Sequence, residues 1–85
     1  MIVGDRNNEK YAPIRLVEAK VGCCYTITAC FAEISLRRRL AELGFAKRQK
    51  LEVISVSPLK NSFLVSVRGS VVAIRKSVAR LIEVN

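Results

Sequence analysis

The sequence predicts a small β-rich barrel of about five strands, with one inserted α-helix and a short helical turn near the C-terminus. Three observations carry this reading. Short segments rich in Val and Ile alternate apolar with polar residues and are separated by turn formers. Only one stretch, 34–45, repeats its apolar residues with the helical period. The chain has 85 residues, which fits one domain with a small core.

Residues 1–10 are polar and aperiodic and are expected to form a flexible tail ahead of a domain over 11–85. From Pro13 to Gly22, the residues Ile14, Leu16 and Val17 suggest a short turn laid over the core, closed by Gly22. Cys23 to Cys30 reads as a strand. Cys23, Tyr25, Ile27 and Ala29 face inward in this reading, and Cys24, Thr26, Thr28 and Cys30 are half exposed.

The helix is the most strongly specified element. Leu36, Leu40 and Leu43 fall at i, i+4 and i+7, on one helical face. Ser35 is the expected N-cap. Gly44 stands where helices commonly end in a left-handed residue, which allows Phe45 to fold back onto Leu40. Arg37, Arg38 and Arg39 then occupy a solvated face, their aliphatic stems lying along the core edge.

Ala46 to Lys50 is a basic loop. Leu51 to Ser57 should be a strand, and apolar residues at both parities suggest cover on both faces, as in a closed barrel. Pro58 to Ser62 is a loop. Phe63, Val65 and Val67 alternate with Leu64, Ser66 and Arg68 as another strand. Gly69-Ser70 reads as a two-residue hairpin loop with Gly69 in first position. Val71 to Arg75 returns as its partner, Lys76 to Arg80 allows one helical turn, and Leu81 to Val84 closes the sheet.

Composition narrows the chemistry. There is no histidine, which removes the commonest metal ligand and the usual general base near neutral pH. Three cysteines spaced C-C-x5-C suit a reducing compartment, and adjacent strand cysteines point to opposite faces, so no metal site is expected. The seven acidic residues lack paired spacing and there is no glycine-rich phosphate loop, so no catalytic residue is assigned. No cofactor is assigned either. No apolar run approaches the ~20 residues of a membrane span. The polar residues Asp5 to Lys10 interrupt any leader-like stretch, so a cytoplasmic location is expected. The net charge of +8 points to an acidic partner. A nucleic-acid-binding barrel and a metal-sensing or thiol-switch regulator are the alternatives. The first is disfavoured because the cations are scattered along the chain and most of the five aromatics are needed in the core.

Residues 13–84 resemble the FeoA domain, the small cytosolic component of bacterial ferrous iron transport. The resemblance rests on the Leu16…Gly22 opening, Tyr25-x-Ile27, Arg39-Leu40-x-x-Leu43-Gly44-Phe45 and Val53…Val56-x-Pro58-Leu59. It continues through Val67-Arg68-Gly69, Ala73-Ile74-Arg75 and Ala79…Ile82-x-Val84. It implies an SH3-like barrel, no enzymatic activity, and a partner in the cytosolic GTP-binding part of the FeoB-type membrane transporter. Where the family usually has Pro-Gly after Leu-Gly-Phe, this chain has Lys47-Arg48. Where Gly-Asp-Pro often follows Pro-Leu, it has Lys60-Asn61-Ser62. Both loops lose turn formers and gain positive charge. The expected partner-binding residues are therefore Arg37, Arg38 and Arg39 on the helix and Lys47, Arg48 and Lys60 in the loops, with Leu59 adding apolar contact. Leu40, Leu43, Gly44, Phe45 and Gly69 are the expected structural residues.

Overall fold

Alternating apolar residues produce six antiparallel strands rather than five. The computed structural model describes residues 12–85; the expected tail over 1–10 and Tyr11 lie outside them. The elements are β1 (Ile14–Arg15), a 3-10 turn (Leu16–Glu18), β2 (Cys24–Cys30), α1 (Ile34–Glu42), β3 (Lys50–Val56), β4 (Ser62–Val67), β5 (Ser70–Arg75), α2 (Lys76–Ala79) and β6 (Ile82–Val84). The sheet order is β1-β6-β2-β3-β4-β5. The strand missed in the sequence is β1, two residues long and too short to show a period.

The sheet curls around Leu16, Ile27, Phe45, Val53, Phe63, Val65, Val67, Ile82 and Val84, all buried. Burying about 25 cal/mol per Å² of apolar surface makes this cluster the main stabilising term. The curl is tightened by two irregularities in register. One falls between Ile27 and Ala29 in β2, the other between Val53 and Ser55 in β3. An extra residue at such a bulge bends the strand and reverses the inside-outside phase beyond it. Beyond the β2 bulge, Cys30 rather than Ala29 packs against the core. Cys23 lies ahead of both the strand and the bulge and is exposed rather than buried. Ile54 points outward and is 39% exposed, so β3 lacks the two-sided cover expected of it.

The cylinder is also not sealed. Among the described residues, β1 pairs only with β6 and β5 only with β4, so the two ends of the sheet do not bond to each other.

Helix α1 caps this barrel. Its N-cap is Glu33 rather than Ser35: the Glu33 carboxylate accepts from the Ser35 N–H at 3.3 Å. A carboxylate there satisfies an orphan donor and also complements the positive end of the helix dipole, which a hydroxyl does not. At the other end the chain forms a Schellman turn. Phe45 N–H donates to the Leu40 carbonyl at 2.8 Å and Gly44 N–H to the Ala41 carbonyl at 3.0 Å. Gly44 has φ +108. Leu40 and Phe45 are buried, but Leu43 is 48% exposed and does not join the core. Leu43 is the C-cap, and Phe45 two residues later fills the space against the barrel.

The β4–β5 turn is shifted by one residue from its expected position. Val67 pairs with Ser70, so the loop is Arg68-Gly69, with φ 53 and 80. Positive φ at both positions is a type I′ turn, whose twist matches that of the flanking strands. Gly69 is therefore in second position and Arg68 carries the strain.

A Cβ added to Gly44 would lie 2.9 Å from Arg68 Cδ and 3.2 Å from Val67 Cγ2. Gly44→Val combines that clash with the ~1–2 kcal/mol of a left-handed β-carbon. It should lower the melting temperature by roughly 5–15 °C in a thermal denaturation followed by circular dichroism.

Candidate interaction surface

Every expected partner-binding residue is exposed: Arg37, Arg38, Arg39, Lys47, Arg48, Leu59 and Lys60. They do not form one patch. The Lys47-Arg48 turn precedes β3 and the loop with Leu59 and Lys60 follows it. Seven residues of strand at about 3.3 Å each put those loops some 20 Å apart.

The first group lies at the α1 end. Helix α1 runs into the Lys47-Arg48 turn through only Leu43, Gly44, Phe45 and Ala46. That turn is fixed by Gln49 N–H donating to the Ala46 carbonyl at 3.0 Å, with Arg48 at φ 76. Positive φ at the third residue defines a type II turn, which favours Pro-Gly at its centre. The Arg48 N–H donates to the Ile27 carbonyl at 2.7 Å and Ile27 N–H to the Gln49 carbonyl at 2.9 Å, so β2 holds the turn. Arg68, which sequence reasoning did not select, belongs to this end because its stem lies over Gly44. The Arg-Gly dipeptide at a hairpin was its available signal.

The second group lies at the opposite end. Lys60 N–H donates to the Ser57 carbonyl at 2.8 Å, and Lys60 takes φ 59. The Ser57 hydroxyl oxygen accepts from the N–H groups of Asn61 and Ser62, each at 3.1 Å, and the hydroxyl lies 2.7 Å from Asn61 Oδ1. Leu59, 81% exposed, stands at the tip. Lys60 and Lys20 flank a shallow groove lined by Val17, Val21, Val56 and Phe63.

Among the described residues, the non-glycine residues with positive φ are Arg48, Lys60 and Arg68, all of them cations. The cysteines do not converge: Cys23 and Cys24 are exposed at one end of β2 and Cys30 sits at the other. Among the described residues, no three Cys, Asp or Glu side chains come together as a metal site, and no helix is long and apolar enough to cross a membrane. The exposed Phe31 is covered by the Arg15 guanidinium, 4.4 Å from its ring centroid.

The FeoA domain model matches residues 14–85. The chain belongs to the FeoA family. It is similar to the FeoA protein of Chlorobium tepidum, with 33% identity and a TM-score of 0.80 over 85% of this chain and 69% of that one. It is also similar to a FeoA of Stenotrophomonas maltophilia, an SH3-domain protein solved with zinc, at 26% identity and TM-score 0.74 over 85% and 89% of the two chains. A manganese-dependent transcriptional repressor with bound manganese shares the fold at 20% identity and TM-score 0.79, over 87% of this chain and 36% of that one. No curated protein matches the sequence. The SH3-like class expected from the sequence is the one observed. Arg48 and Lys60, in the two loops where the sequence departs from the expected FeoA pattern, both take positive φ.

Arg48→Gly measures that strain. It relieves ~1–2 kcal/mol of left-handed strain and adds ~0.5–1 kcal/mol of unfolded-state entropy. The melting temperature should rise by roughly 2–6 °C in differential scanning calorimetry; a fall would mean that the Arg48 side chain is itself stabilising.

Proposed function

We propose that this protein is a non-catalytic accessory factor of ferrous iron uptake. In this reading it works in the cytoplasm by binding the cytosolic GTP-binding part of a FeoB-type transporter. The observation that carries the reading is the exposed run Arg37-Arg38-Arg39 on α1, continued by Lys47 and Arg48 in a turn held to β2. Family membership supplies the transport context.

The cations act by attraction. Exposed charges at the rim of an interface raise the association rate and set its salt dependence more than they deepen the final affinity. Apolar contact is available beside them: Ile34 is 56% and Leu43 48% exposed on the same helix. Leu43, which the core does not use, thus becomes part of the proposed surface. Leu59 and Lys60, at the far end of β3, would serve either a partner large enough to span both ends or a separate contact.

Titration of a purified FeoB cytosolic domain tests this directly. Binding should be measurable at low salt and weaken steadily as ionic strength rises, because the Debye length falls to about 8 Å near 0.15 M. Replacing Arg37, Arg38 and Arg39 together by Glu should weaken binding at least tenfold while leaving the melting temperature within a few degrees. No binding at any salt concentration would remove the proposal.

A further inference from the structure

We infer that β5 is a docking edge for an extended acidic segment of a partner protein, which would add to the sheet as a seventh strand. The inference is independent of the α1 surface and would stand if that proposal failed.

The backbone phase is fixed by the hairpin. Its two-residue loop makes Val67 and Ser70 a doubly bonded pair, and alternation then assigns bonding positions to Val65–Val72 and Phe63–Ile74. The next step of the same alternation is observed, with Lys76 N–H donating to the Asn61 carbonyl at 3.0 Å. The residues between them, Val71, Ala73 and Arg75, therefore turn their N–H groups away from β4. No strand among the described residues lies on that side. The N–H and C=O of Val71 and Ala73, with the N–H of Arg75, form a template one strand wide.

Natural sheets usually blunt such an edge by shortness, proline or lysine. The opposite edge follows this rule, since β1 has two residues. β5 has six, contains neither proline nor lysine, and leaves Val71 58% exposed. Val72, which faces the interior, is only half-buried, so the core is thin beside this strand.

Charge selects the occupant. Between Glu52 and Glu83 there is no acidic residue, while Lys60, Arg68, Arg75, Lys76 and Arg80 are all basic. Arg68 stands at one end of the edge and Arg75 with Lys76 at the other. A second copy of this chain would bring a net charge of +8 against another +8, which opposes edge-to-edge pairing. An acidic strand gains attraction at both ends as well as main-chain bonds along the middle.

The test uses the full chain, isotope-labelled, and an acetylated octapeptide of alternating glutamate and valine as probe. A second peptide carries N-methyl groups on alternate amides, which keeps the charge but removes one bonding edge. In the free protein the amides of Val71, Ala73 and Arg75 should exchange quickly with solvent. The unmodified peptide should slow their exchange and shift their resonances, and the N-methylated peptide should bind at least tenfold more weakly. Ala73→Pro deletes an outward N–H without removing a bond to β4, and should also reduce binding at least tenfold. Equal binding of the two peptides, shifts centred on Arg37–Arg39, or no shift at millimolar peptide would overturn the inference. So would slow exchange of the three amides in the free protein, or self-association through β5.

Discussion

The close approach of Gly44 to the β4–β5 hairpin is the constraint on which the rest of the structure depends. At this one point the helix must stop, reverse into a left-handed residue and pass within van der Waals reach of Val67 and Arg68. Only glycine meets all three demands at little cost. The reversal delivers Phe45 into the core beside Leu40 and, two residues later, starts the Lys47-Arg48 turn. Core packing and the placement of the exposed cations are therefore set by the same local geometry.

A second regularity concerns where the chain carries strain. Arg48, Lys60 and Arg68 each take a conformation that glycine or asparagine adopts more easily. Each is held there by something stronger than its own preference. The Arg48 turn is bonded to β2, the Lys60 loop to the Ser57 hydroxyl, and the Arg68 turn to the β4–β5 ladder. A basic side chain at such a position is displayed on a fixed backbone rather than a loose loop. Less freedom is then lost when it meets a partner, which favours binding by preorganisation.

Much of this was legible in the residues, because local signals agreed with the global fold. The alternation in Phe63, Val65 and Val67 marked β4, and Leu40, Gly44 and Phe45 marked the helix and its ending. What escaped the sequence has physical causes. A bulge reverses the face of every later residue without leaving a compositional trace, which is why Cys30 rather than Ala29 meets the core; Ile54 keeps its alternation but faces outward with nothing covering it. A capping carboxylate two residues earlier competes with a capping hydroxyl, which displaced Ser35 in favour of Glu33. The hairpin slipped by one residue because arginine at the first position of a type I′ turn is a poor fit by propensity alone. Separation in space was also hidden: Lys47-Arg48 and Lys60 flank the same strand in sequence, yet stand at opposite ends of the barrel. The phase of the free β5 edge could be worked out only once the register was known.

The function argued for this FeoA domain rests on its cations meeting an acidic protein surface, with the barrel serving as a rigid mount. The most direct measurement is a residue-resolved map of the labelled protein in complex with the FeoB cytosolic domain, recorded by heteronuclear NMR at two salt concentrations. The account predicts perturbations concentrated on α1 from Ile34 to Leu43 and on the Lys47-Arg48 turn, shrinking as salt is raised. Perturbations confined to the cysteines, or spread evenly over the surface and indifferent to salt, would contradict it.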